Sequence, residues 1–247
     1  MNVAEELGAQ SYCFRHFKDN RKVAELVRQC GLSKVELGGG NVDLANPKSW
    51  DEVIGIYRSA GVEIVGLGVQ RFGNEEAKER KFFEFVKAAG AKFMSVTFSI
   101  DAVPAAYRTA ERLADEYDVR LAIHNHGARD WLGSVAMLAH VFKNTSPRIG
   151  LCLDTAWMLD SGEDPVAVAE RFAERLYGLH VKDFTFDRAR RPQDVVVGTG
   201  NLNLRKLSDV LKKTGFDGYA VLEYEADSEN PVPAIQQCAA AVREQMQ

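Results

Sequence analysis

Short apolar runs of β type alternate with helical stretches along the whole chain, at nearly constant spacing. The candidate strands are Leu7–Cys13, Lys34–Gly38, Val62–Gly68, Lys92–Thr97, Val119–His124, Ile149–Asp154, Tyr177–Lys182 and Tyr219–Tyr224. Their starts lie about 27–30 residues apart, except for a last gap of about 42. Between them apolar residues recur at helical spacing, as in Val23, Ala24, Leu26 and Val27 and again in Phe82, Phe83, Phe85 and Val86. Gly31, Gly61, Gly90 and Gly215 stand where helices would end in a left-handed residue. Strands connected through helices run parallel, because each crossover has to carry the chain back along the sheet. Eight such units in 247 residues match the size of a closed barrel. The expected fold is therefore α/β, a (β/α)8 TIM barrel, with residues 1–247 as a single domain. An open doubly wound sheet fits less well. Phe14-Arg15-His16-Phe17 follows the first strand, where such a sheet carries a glycine-rich phosphate turn.

Composition narrows the class of function. With 31 Lys+Arg against 35 Asp+Glu the formal net charge is −4, which is not the basic footprint of a nucleic-acid binder. A hydrophobic fraction of 46% supports a packed core and argues against disorder. The four cysteines, Cys13, Cys30, Cys152 and Cys238, form no CxxC pair, so reduced thiols in a cytoplasmic protein are expected. The sequence MNVAEELGAQ lacks the apolar stretch of a signal peptide, and no apolar run approaches ~18 residues. The expected partner is a small-molecule ligand, with no nucleic acid and no membrane, and formation of a homo-oligomer is left open.

Alternation along each strand sorts residues between the helix-facing side and the lumen. Leu121 and Ile123 share one parity, and His124 and His126 the other. Leu151 and Leu153 oppose Cys152 and Asp154, and Leu179 and Val181 oppose His180 and Lys182. In the last strand Val221, Glu223 and Glu225 point inward, and Glu36 does so in the second. Four adjacent strands thus bring His124, Asp154, His180 and Glu223 to the C-terminal rim, where barrel enzymes place their chemistry. Two imidazoles and two carboxylates converging there suit one divalent metal ion, whereas clustered carboxylates without a cation would repel one another. The donor set does not discriminate among Mn²⁺, Co²⁺, Zn²⁺, Fe²⁺ and Mg²⁺.

These residues resemble the xylose isomerase-like TIM barrels. The carrying motifs are Ala122-Ile123-His124-Asn125-His126-Gly127, Leu151-Cys152-Leu153-Asp154-Thr155 and Leu179-His180-Val181-Lys182-Asp183. Val197-Gly198-Thr199-Gly200, Leu222-Glu223-Tyr224-Glu225 and Asn230-Pro231 continue the match. The family includes sugar isomerases, ketose 3-epimerases, inosose dehydratase and endonuclease IV. The resemblance implies that Asp154, His180 and Glu223 are metal ligands. The chain departs from the family's epimerases at His124, where they carry a glutamate, and at Trp157, where many relatives carry a histidine. Its His-x-His pair is similar to that of inosose dehydratase.

A divalent ion that chelates a carbonyl oxygen and the neighbouring hydroxyl acidifies the adjacent C–H and stabilises the resulting enediolate. The expectation is a metal-dependent isomerase or epimerase of a small sugar or polyol, free or phosphorylated. The alternative is a metal-dependent dehydratase (lyase) of a keto-polyol, favoured by His124 and His126, and a more distant one is a non-catalytic sugar-binding barrel. A nuclease like endonuclease IV is disfavoured, because the third and fourth strand ends read Val69-Gln70 and Phe98-Ser99 where extra histidines would be needed. Glu223 is the leading base, His126 a second acid/base, and Lys182 a candidate oxyanion stabiliser or else a salt-bridge partner of Asp183 or Glu225. Glu36, Gln70, Trp157 and Glu225 are candidate substrate-binding residues, with Trp131 a second candidate apolar wall and Gly38-Gly39-Gly40 a candidate anion-binding turn. The long segment 184–201, with Arg188, Arg190 and Arg191, reads either as a lid or binding loop for an anionic ligand or as a solvated loop.

Overall fold

The computed structural model describes residues 2–127 and 129–246. Eight parallel strands close into one barrel: β1 (Gly8–Gln10), β2 (Lys34–Gly38), β3 (Glu63–Phe72), β4 (Phe93–Phe98), β5 (Arg120–His124), β6 (Ile149–Asp154), β7 (Leu176–Val181) and β10 (Tyr219–Leu222). β10 pairs with both β7 and β1, which closes the ring without a free edge. Two further strands, β8 (Asp183–Phe186) and β9 (Pro192–Val195), form an antiparallel hairpin outside the barrel. The segment expected as an irregular loop is therefore largely an ordered hairpin. Its arms pair Phe184 with Asp194 and Phe186 with Pro192.

Alternation within the strands divides the apolar residues into two clusters. Leu121, Ile123, Leu151, Leu153, Leu179 and Val181 belong to the large cluster that packs under the helices. Ala122, Cys152, Tyr177, Tyr219 and Val221 form a smaller one filling the lumen, with Val65 and Phe93 against it. Helix α2 (Asn20–Gln29) buries Val23, Ala24, Leu26 and Val27, and α4 (Glu76–Ala89) buries Phe82, Phe83, Phe85 and Val86, as their spacing predicts. Gly31, Gly61, Gly90 and Gly215 all have φ between 68° and 76°, the left-handed conformation expected after a helix. All four cysteines are unpaired and buried. Among the described residues no helix is long and apolar enough to cross a membrane.

The floor of the lumen is set by one tyrosine. The Tyr219 hydroxyl donates to Glu36 Oε1 at 2.9 Å and shares a hydrogen bond with Ser95 Oγ. A Cβ at Gly178 would lie 2.6 Å from two carbons of that ring. Because the ring is pinned through its hydroxyl, Gly178→Ala is expected to cost about 1–3 kcal/mol by overpacking. Chemical denaturation checks this as a lowered midpoint at unchanged slope.

Candidate metal centre

The ends of β5, β6, β7 and β10 are tied together by side-chain-to-backbone bonds. Asn125 donates to the Asp154 carbonyl at 3.0 Å and accepts from the Asp154 N–H at 2.9 Å, which locks β5 to β6 at their last residues. Thr155 accepts from the Lys182 N–H at 3.0 Å and donates to the His180 and Lys182 carbonyls at 3.3 and 2.5 Å. These clamps hold His124, Asp154 and His180 at a common level. Glu223 follows β10, its N–H donating to the Val181 carbonyl at 3.3 Å.

His124, Asp154, His180 and Glu223 each offer a ligand atom, and all four atoms lie within 4.8 Å of one another. All four residues are buried. His180 Nδ1 lies 2.8 Å from Glu223 Oε2, and His124 Nε2 lies 3.5 Å from both Asp154 Oδ2 and Glu223 Oε2. At 3.5 Å the latter are charge contacts rather than well-formed hydrogen bonds. Asp154 Oδ1 caps helix α7 (Thr155–Asp160) by accepting from the Trp157 N–H at 2.8 Å, which turns Oδ2 into the site. Asp154 Oδ2 and both ring nitrogens of His124 are buried without a hydrogen-bond partner. Orphaned buried donors and acceptors are costly in a purely structural cluster. They fit a site that takes a cation. The cluster is able to hold a metal ion.

The electrostatics favour positive charge here. Burial works against a proton on His124, but the Asp154 and Glu223 carboxylates overcome it and hold the imidazole pKa up at about 9. Burial likewise opposes the charge on Glu223, and the His180 imidazole, with His124 and Lys182, holds its carboxyl well below the usual range. His126, beside His124 with ring centroids 4.6 Å apart, is pushed below the ordinary histidine range by burial and by the charge on His124.

A cavity of about 500 Å³ opens above the cluster. His124, His126, Trp157, Glu223 and Glu225 line it together with Gln10, Ser11, Arg15, Lys18, Asn41 and the Gly38–Gly40 turn. Glu36 and Gln70, expected to meet substrate, do not line it. Glu36 is fully buried beneath His180, with Oε2 2.6 Å from His180 Nε2. Gln70 turns its amide back onto the Gly68 carbonyl at 2.7 Å. Lys182, considered as an oxyanion stabiliser, is buried behind the wall. Its ammonium pairs with Glu225 and sits over the Trp157 and Phe184 rings at 5.4 and 5.6 Å. Asp194 of the hairpin closes that pocket, accepting from the Glu225 N–H at 2.7 Å, and burial pushes its carboxyl up to about 7. Trp131 is packed, donating to the Phe98 carbonyl at 3.0 Å, and is not part of the cavity wall. Arg188, Arg190 and Arg191 are exposed at the hairpin turn and do not line the cavity. Arg190 stacks on Phe186 and Arg191 pairs with Asp187. Asp183 accepts backbone N–H groups of Gly198, Gly200, Asn201 and Leu202 at 2.8–3.0 Å, so the Gly-Thr-Gly segment is an anchor for the chain after the hairpin.

A closed parallel barrel with a cation-favouring cluster at the C-terminal ends of four adjacent strands defines the class: a (β/α)8 barrel with its candidate site where such barrels work. The chain belongs to the xylose isomerase-like TIM barrel family, whose model matches residues 99–245. The family is one of enzymes, with isomerases, epimerases and dehydratases among them. Among curated relatives, the rhizopine catabolism protein MocC of Rhizobium meliloti is 32% identical over 142 residues, covering 50% of this chain and 42% of that protein. The inosose dehydratase of Lacticaseibacillus casei is 24% identical over 135 residues, covering 47% and 45%. The matched segment thus spans less than half the length of either relative. Among solved structures, the zinc-bound IOLI protein superposes with a TM-score of 0.77 over 98% of both chains at 15% identity, a likeness of fold.

Proposed function

We propose that this chain is a metal-dependent dehydratase of a small keto-polyol. The carrying observation is the set of acid/base groups that face the cavity. Among the described residues Glu223 and Glu225 are the carboxylates lining it, and Glu225 is taken up by Lys182. That leaves Glu223 and His126 as one carboxylate and one imidazole, rather than two opposed carboxylates. The similarity to inosose dehydratases points the same way.

His124, Asp154, His180 and Glu223 would hold the ion, whose Lewis acidity would make the C–H beside a substrate carbonyl more acidic. Glu223 engages the imidazoles through Oε2, and its other oxygen, Oε1, takes the carbon-bound proton. His126, which lines the same cavity, would take up a proton from solvent and give it to the departing β-hydroxyl, so that water leaves as the double bond forms and the ring returns to its neutral form. Trp157 gives the polyol ring an apolar face, and Glu225, held by Lys182, accepts from its hydroxyls. The proton abstraction is shared with isomerisation and epimerisation. The second reading has Glu223 keep the abstracted proton while His126 delivers a proton of its own to carbon, favoured by the same placement of its ring on the cavity wall.

The test is proton exchange and water loss in D₂O, with the metal-loaded protein and a panel of ketoses and keto-inositols. The reading expects an enone absorbance to grow as substrate is consumed. Deuterium incorporation without enone moves the assignment to isomerase or epimerase. Neither signal from any member of the panel removes the catalytic reading.

A further inference from the structure

The cavity that opens over the metal cluster is also lined by two cations, Arg15 and Lys18, and among the described residues neither is paired with a carboxylate. Arg15 is half-buried and held in place: Nη2 donates to the Glu225 carbonyl at 2.5 Å, Nη1 to the Tyr12 carbonyl at 3.2 Å, and the guanidinium stacks 4.8 Å from the Tyr12 ring. Lys18 lines the same cavity, its ammonium donating to the Arg15 carbonyl at 2.8 Å. The hydrogen-bond partners of both are neutral carbonyls, whereas Lys22, four residues after Lys18 on α2, meets the Glu25 carboxylate. The two carboxylates lining the cavity are already engaged, Glu223 with the imidazoles and Glu225 with Lys182. Carbonyls satisfy a guanidinium's hydrogen bonds but not its charge, and a cation partly withdrawn from water is favoured when an anion joins it.

We infer that the substrate carries an acidic group, a carboxylate or a phosphate, which Arg15 and Lys18 bind in the cavity they share with the metal ligands. This inference rests on the proposed polyol chemistry and specifies its substrate class as an anionic keto-polyol. A guanidinium presents paired N–H groups that match either oxyanion, so the two share one recognition chemistry.

Binding to the metal-loaded protein by titration calorimetry at low salt tests it, with three six-carbon probes: glucitol, gluconate and glucitol 6-phosphate. The expected result is that one or both anions bind at least about tenfold more tightly than glucitol, with the preference falling as salt screens the cations. Which anion is tighter tells the carboxylate source from the phosphate source. In Arg15→Met the ratio of anion to neutral affinity falls toward one, and in Lys18→Met, an exposed position whose change spares the fold, it falls partway. Metal-dependent glucitol binding with no preference for either anion overturns this inference and leaves the polyol reading standing. A preference that survives in both variants overturns it as well. Failure of all three probes to bind overturns both.

Discussion

Glu223→Gln is expected to lower substrate turnover by about 10³-fold or more and to remove most of the bound metal. An amide keeps the shape of the carboxylate but loses its charge, its ligand oxygen and its capacity to take a proton. General-base removal alone costs roughly 10²–10⁴-fold. The carboxylate is also what faces His180 Nδ1 at 2.8 Å and His124 Nε2 at 3.5 Å, so its loss takes away a negative charge from between two imidazoles. Losing a residue that merely supports a ligand typically costs about 10–100-fold in metal affinity, and a ligand should cost more. Elemental analysis of wild type and variant reads the metal directly, and deuterium exchange reads the base. A variant that keeps full metal and full exchange would remove Glu223 from both roles.

The barrel and its rim cluster were legible because strand alternation is a two-state problem. Once Leu121 and Ile123 pack under helices, His124 has to face the lumen, and the same argument fixes Asp154 and His180. Depth is a different matter. Parity says that Glu36 points inward but not at which level, and that level depends on register. β2 and β3 slip against each other between Val35 and Glu36, and β3 and β4 between Leu67 and Gln70. The slips accompany an inward carboxylate that sits under His180 and an amide that folds back on its own strand. The hairpin left a faint alternation, Phe184 and Phe186 against a Val195 arm, obscured by the arginine-rich turn and Pro192. Arg15 and Lys18 left no signal at all. Charged residues in a loop after a strand are commonplace, and only the closed fold shows that these two line the same cavity as the cluster.

Glu36→Gln is expected to weaken metal binding by about tenfold, and Glu36→Ala by about a hundredfold. The carboxylate accepts from His180 Nε2 at 2.6 Å, Gln10 Nε2 at 2.8 Å, Tyr219 OH at 2.9 Å and Ser95 Oγ at 2.5 Å. Burial alone would raise its pKa, but the charge on His180 and these hydrogen bonds hold the carboxyl below the usual range, so it is an acceptor only. It therefore keeps the proton of His180 on Nε2 and leaves the Nδ1 lone pair for the metal. In Glu36→Gln the amide oxygen can still accept from Nε2, while its NH₂ turns to the Ser95 and Tyr219 hydroxyls, which rotate to accept. The tautomer survives and only the added basicity of the imidazole is lost. In Glu36→Ala the acceptor goes too, and the ring is free to move its proton to Nδ1, where it blocks the ligand position. Calorimetric titration with Zn²⁺, well below the unfolding temperature, separates this from a packing role. A packing role lowers the denaturation midpoint of both variants and leaves the affinity of the folded protein unchanged. Orientation of His180 makes the affinity fall in the order wild type, Gln, Ala, and equal affinities for all three would rule it out.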